Sequence, residues 1–292
     1  MLEHSSALLR SSALAHAVLA VAFGLWLFVE ASPIESHHPG WKPFKFALSI
    51  AIFLITMAWL VPSLSVGAQV RVIIEWLLAG TMTVEMIAIG LQAVRGRTSH
   101  FNDGSPFDTL VWRVMMVAIV VTSLTMLGVA LIATLRPLLD GAGSSMNPLL
   151  ASAWRGGLWL FLFVPLSGFT MGGRMTRYVG GASEEGLPIL HWSTAQGDFR
   201  VAHFFALHAI QVLVLLAIGL EALNLRESIG RSIVWVATAL GIVLIGHTYL
   251  QARSGRPLVR RVQAQEAGDG GLAPMESGVC DDTPLGSRDD RA

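Results

Sequence analysis

The chain is 292 residues long, 53 % hydrophobic and only 14 % charged, with 20 basic residues against 20 acidic ones and no formal net charge. Soluble domains carry about 25 % charged residues, so this is the composition of a membrane protein, and its balanced charge offers no footing for a nucleic-acid partner. The single cysteine, Cys280, lies in the polar C-terminal segment, which excludes an intrachain disulfide and a cysteine-based metal cluster.

Seven apolar runs follow one another, near 11–31, 44–64, 71–94, 107–136, 148–171, 200–223 and 230–252. Each is long enough to cross a hydrocarbon layer of ~30 Å as a helix of about 20 residues. Continuous stretches such as ALSIAIFLITMAWLV (47–61) lack the alternation that a membrane barrel requires. The expected fold is all-α, a polytopic transmembrane helix bundle of seven spans over residues 1–252. In the first run, LFVEASP (27–33) has the small-residue spacing of a signal-peptidase site, but the run exceeds a signal peptide's usual 7–15 apolar residues, so it reads as a retained signal-anchor. The segment 253–292 is rich in Gly and Asp and poor in aromatics, and is expected to be a disordered polar tail.

With seven spans the connections alternate between two faces, and they differ. PSLSVGAQ (62–69), PLLDGAGSSMN (137–147) and NLRESIG (224–230) read as plain turns on the face that carries the N-terminus. The other face carries SPIESHHPGWKPFKF (32–46), RGRTSHFNDGSPFD (95–108) and GGRMTRYVGGASEEGLPILHWSTAQGDFR (172–200), then the basic stretch RSGRPLVRR (253–261). This excess of Lys and Arg predicts, by the positive-inside rule, a multi-pass membrane protein with its N-terminus out and its C-terminus cytoplasmic.

In the first of these loops, WKPFKF (41–46) holds both lysines of the chain, Lys42 and Lys45, and reads as an interfacial anchor. The second gathers Arg95, Arg97, His100, Asn102, Asp103 and Asp108; its Ser105-Pro106 step ends any helix, and Asp108 can cap the next. A loop tied by Arg–Asp pairs and a ligand-binding loop both fit. The third sets Arg174 and Arg177 beside glycines, a way of bringing guanidinium groups to an anion or a lipid headgroup, although no P-loop pattern is present. The loops at 95–108 and 172–200 are expected to meet over the bundle mouth through complementary charges, with Glu184 and Glu185 among the acids.

A rise of 1.5 Å per residue converts position into depth below this loop-rich face: roughly 5 Å for His203, 12 Å for His208, 8 Å for His247 and 13 Å for Glu85. Gln92 lies one heptad after Glu85, and Arg113 enters the fourth span from the same face. Ionisable groups inside spans are costly and turn toward the bundle interior or a wet cavity. Glu85, Arg113, His203, His208 and His247 therefore predict a polar vestibule, with Asp198 and Arg200 at its rim. Glu85, His203 and His247 are expected to line one cavity, while Gln211 with His208 suits interhelical hydrogen bonding.

HPGWKPFKFALSIAIFL (38–54), RGRTSHFNDGSPFD and HWSTAQGDFRVAHFFALHAIQ (191–211) resemble segments of a family of uncharacterised bacterial multi-span membrane proteins, over nearly the whole chain up to the tail. The resemblance implies the topology and brings no activity.

Two function classes follow from the residues. One is binding or transport of a small polar or anionic solute by Glu85, Gln92, Arg95, Arg97, His100, Arg113, Arg174, Arg177, Asp198, Arg200, His203 and His208, with membrane lipid as the other partner. The alternative is a redox or hydrolytic enzyme holding haem b or a divalent metal through His203, His208 and His247. His203 and His208 are five apart, which breaks the i, i+4 helix pair of zinc hydrolases. Whether the chain is an enzyme stays open on these residues.

Overall fold

The structure, a computed structural model, describes residues 6–35, 37–181 and 186–260. The expected disorder of the tail, Cys280, and the acids Glu184 and Glu185 lie outside the described residues. Eight helices make seven spans: α1 (Ala7–Trp26), α2 (Trp41–Leu60, extended by a 3-10 turn Val61–Ser63), α3 (Ala68–Val94), α4 (Pro106–Leu135), α5 (Pro148–Phe161) with α6 (Phe163–Arg174), α7 (Arg200–Ala222) and α8 (Glu227–Arg253). All seven are long and apolar enough to cross a membrane. The chain is thus an all-α, seven-span, multi-pass membrane protein.

Local signals place the helix starts. Ser6, Ser105 and Asn147 cap α1, α4 and α5 by accepting a backbone N–H from Leu9, Asp108 and Leu149, and Pro106 and Pro148 occupy first-turn positions where no N–H is needed. The Ser6 cap starts α1 four residues before the expected 11, and α1 ends at Trp26 rather than 31 because the backbone tightens into turns through Leu27, Phe28 and Val29. The fifth span, expected as one run, is broken at Leu162. Pro165 supplies the reason: it has no N–H for the Phe161 carbonyl, and its ring crowds that carbonyl.

In lipid the apolar effect does not drive helices together, so close approach of small residues carries the packing. α5 lies at the centre, against α7 and α8, while α1 runs along α2. A side chain at Gly157 would place its first carbon 2.6 Å from the backbone of Ile210, so only glycine allows this α5–α7 approach. Trp154 is fully buried on Trp59, 5.2 Å between rings, and Phe53 stacks on Phe161 at 5.7 Å.

Cross-loop contacts define the two ends. At the short-turn end Leu139 N donates to Ser63 O and Asn147 to Glu221. At the other end β1 (Tyr178–Val179) pairs antiparallel with β2 (Gly197–Asp198), and Gly197 lies so close to the Ala252 carbonyl that no side chain fits between β2 and the end of α8. This end holds the polar site.

Candidate functional site

The loops of this end are first of all knotted to one another. Asp198, with a side chain 1 % exposed, accepts from the backbone of Ser193 and Arg200 and from the Arg200 guanidinium in a two-pronged pair. Arg200 also donates to the Tyr178 hydroxyl and to the His191 carbonyl. Lys45 reaches up from α2 to the Ile189 carbonyl at 3.1 Å and to His191 Nδ1 at 3.2 Å, while the His191 ring meets His37 and Trp41. Burial first, then the Lys45 ammonium, push the His191 imidazole down to about 3, so it is neutral here. Arg177 pairs with Glu35 at 2.8 Å; burial alone would raise this carboxyl, but the guanidinium outweighs it and holds Glu35 below its ordinary value. These residues close the loops and are consumed by doing so.

A second tie secures the α3–α4 connection. Asp108 accepts from Gln92 at 2.8 Å, from Arg95 at 2.6 Å and from Ser105 at 2.7 Å, and Arg95 also donates to the Gln92 carbonyl oxygen and lies over the Phe107 ring. Gln92 and Arg95, expected as ligand contacts, are structural partners instead: an amide fully buried in α3 needs a partner, and the cap of α4 supplies it.

Below these ties lies a polar group of another kind. Phe46 of α2 has Lys42 Nζ 6.0 Å from its ring centre on one side and the His100 ring at 5.6 Å on another. His100 meets Trp112 of α4 at 5.5 Å; Trp112 and Met116 face Gly172 of α6; one turn back, Gly168 faces the His203 ring. Glu85 of α3, 2 % exposed, completes the ring of elements within electrostatic reach of Lys42. Lys42, His100 and His203 are each half-buried.

His100 Nδ1 hydrogen-bonds the Ser99 hydroxyl at 3.1 Å, whereas Glu85 and Lys42 lack ion-pair partners among the described residues. Glu85 Oε1 is buried without a hydrogen bond. His203 is oriented more definitely. The Ser167 hydroxyl, which also lies within hydrogen-bond distance of the carbonyls of Phe163 and Val164 just after the helix break, hydrogen-bonds His203 Nδ1 at 3.0 Å and orients the ring. His100 is held neutral by burial and by the nearby Lys42 charge.

Other expected site residues fall elsewhere. His247 is exposed: the buried side of α8 runs through Val234, Thr238, Ile245, Thr248 and Ala252, and residue 247 lies about 100° from that stripe. The expected cavity of Glu85, His203 and His247 therefore loses its third member. Arg113 is likewise exposed, opposite the buried Met115 and Asp108 side of α4, and Arg97 and Arg174 are exposed at the loop end. His208 packs against Phe204 at 4.5 Å, and Gln211 donates to Thr56 of α2. Among the described residues no three His, Cys, Asp or Glu side chains are placed to hold a metal, so His203, His208 and His247 do not converge. The loops at 95–108 and 172–200 do meet, but through Phe101 and Val179 packed against the apolar cluster of Met171, Phe199 and Ala252. Their charges pair elsewhere, because Arg95 at the end of α3 finds Asp108 at the start of α4 and Arg177 finds Glu35 in the first loop.

Lys42 is the residue that sequence reading missed. At the end of a span a lysine reads as an anchor. The signal was periodicity: Lys42, Phe46 and Phe53 share the side of α2 that turns inward beside the Ala47, Ile50, Leu54 and Met57 stripe.

No protein-family model, curated protein or solved structure matches the chain.

Proposed function

We propose that this membrane protein binds, and passes across the bilayer, a small polar solute at the Lys42–Glu85–His100–His203 cluster. One observation carries the reading: the Glu85 carboxyl is buried inside the helix bundle with Oε1 lacking a hydrogen bond, and Lys42, within its electrostatic reach, forms no ion pair with a described residue. A buried polar atom left without a hydrogen bond costs about 1–3 kcal/mol, and a polar solute that bonds the Glu85 carboxyl removes that cost. The broken α5–α6 span supports the same reading, since discontinuous helices border the central sites of many transporters. The haem or metal alternative needed His247, which faces outward. The Lys and Arg excess places the cluster toward the cytoplasm of a bacterial inner membrane, with the C-terminal tail on that side.

The test is thermal unfolding of the purified protein against a solute library that spans anions, cations, zwitterions and neutral polyols. A solute at 100 times its Kd stabilises by about 2.7 kcal/mol. At least one class should raise the unfolding temperature, and the rise should vanish in Glu85→Gln and in His203→Ala protein. Stabilisation by no class, or stabilisation retained in both variants, contradicts the proposal.

A further inference from the structure

We propose that one anionic phospholipid docks on this protein from the bilayer, an acyl chain lying in the groove between α6 and α8 and its phosphate held by Arg174 and Arg253. The proposal is separate from the solute reading and stands on other observations: a cavity, a hydrogen bond and the phase of two helices.

The cavity lies below the loop end, where α6, α7 and α8 come together. Its volume is about 190 Å³, larger than the ~150 Å³ of an apolar cavity that takes up benzene. Ser167, Ala202 and Ile245 form a buried floor, while Leu166 and Leu250 are exposed at its edges and open it to the acyl region of the bilayer. Gly246 of α8 widens it, since a side chain there would meet nothing within 4 Å. The two polar side chains on its walls are already engaged, Ser167 with His203 and Tyr249 with Thr170. Such a slot offers a polar ligand nothing and accepts hydrocarbon.

Helix phase sets a cation above the slot on each side. At 100° per residue, Arg174 at the end of α6 lies within about 30° of the mean direction of Phe163, Leu166 and Ser167. Arg253 at the end of α8 lies within about 10° of the mean direction of Ile245, Gly246, Tyr249 and Leu250. One turn below both arginines, Thr170 and Tyr249 hydrogen-bond at 2.9 Å and tie these two helix faces together. Just past the helix ends the backbones meet again, for a carbon added at Gly180 would lie 3.4 Å from Gly255 Cα. Helical side chains lean toward the N-terminus, so both guanidinium groups reach back over the top of the slot. Each arginine is exposed, and neither forms an ion pair with a described residue.

A hydrocarbon slot opening sideways into the bilayer beneath two unmatched cations selects a lipid with net negative charge. Guanidinium forks suit phosphate oxygens. A zwitterionic phospholipid has the same phosphate but adds an ammonium group that the arginines repel. A free phosphate leaves the slot empty, and an uncharged lipid leaves the arginines unmatched.

The experiment is native mass spectrometry of the full-length protein released from detergent micelles, which counts bound lipid. The probes are dioleoyl phosphatidylglycerol, dioleoyl phosphatidylcholine with the same chains, and glycerol 3-phosphate as a headgroup without chains. Phosphatidylglycerol should bind as a single copy and about tenfold or more tighter than phosphatidylcholine, and a hundredfold excess of glycerol 3-phosphate should not displace it. Joint replacement Arg174→Gln and Arg253→Gln should abolish the preference, while Arg226→Gln at the opposite end should leave it intact. Gly246→Leu fills the slot and should weaken both lipids about tenfold. Binding of neither lipid, equal binding of the two, displacement by glycerol 3-phosphate, or a dimer mass in place of a lipid adduct overturns the proposal. So does a preference that survives in the double arginine variant, or undiminished binding by Gly246→Leu protein. The arginine and glycine variants test the site separately, so failure of one to fold leaves the other to decide.

Discussion

At the residue scale, the chain separates polar groups that hold the structure from polar groups left free. Asp198 and Arg200 belong to the first kind. Arg200→Ala would leave a carboxylate with a side chain 1 % exposed facing only two backbone N–H groups, a loss of about 3 kcal/mol or more by analogy with broken buried pairs. Chemical or thermal unfolding of the variant should show it, and a change below about 1 kcal/mol would mean the knot is not needed for stability. His191 makes a pH prediction. Its folded value of about 3 lies below the ordinary 6.5, so the opened loop binds a proton that the closed loop refuses. Loop stability is therefore full above about pH 6.5 and is lost progressively toward pH 3. Fluorescence of Trp41 and Trp192 should shift over that window in wild-type protein and shift less in His191→Gln protein; a flat wild-type profile would contradict the assignment. The Glu35–Arg177 pair adds a smaller loss as pH falls below the ordinary carboxyl value of 4.5, worth under ~1 kcal/mol because Glu35 is exposed.

At the element scale, one dimension of each helix was legible in the sequence and one was not. Hydropathy gives length and depth, and the seven spans follow from it. Depth alone says nothing about azimuth. His203 and His247 sit at similar depth, yet His203 turns to α6 while His247 turns out of the bundle, and Arg113 was misassigned for the same reason. Glu85 was legible because a carboxylate among apolar residues has few bland explanations, and it falls on the Leu78, Met82, Ile89 stripe of α3. The contact of Ser167 with His203, just beyond the Pro165 break, depends on tertiary packing and has no signal in the sequence. Gly157 tests the packing account: Gly157→Ala forces its new carbon against the Ile210 backbone, and a loss of about 1–3 kcal/mol is expected for such overpacking. Gly219 has open space around it, so Gly219→Ala should be neutral or slightly stabilising, and equal losses at both positions would count against a close α5–α7 seam.

At the scale of the whole molecule, the two ends have different tasks. The short-turn end is closed by backbone bonds such as Leu139 to Ser63, while the opposite end is closed by side-chain knots such as Arg200 to Asp198. A reporter fused after Arg261 should be active in its cytoplasmic form only; a periplasmic signal would reverse the proposed facing. The central claim is that Lys42, Glu85 and His203 line space reached by water from the loop end. The most direct measurement replaces Cys280 with serine and introduces single cysteines as Lys42→Cys, His203→Cys and, as a lipid-facing control, Leu215→Cys, since Leu215 is 66 % exposed on α7. A charged, membrane-impermeant thiol reagent applied from the loop side should modify the first two at least tenfold faster than the control, and a bound solute should slow that modification. Modification of Lys42→Cys and His203→Cys no faster than Leu215→Cys would contradict the account.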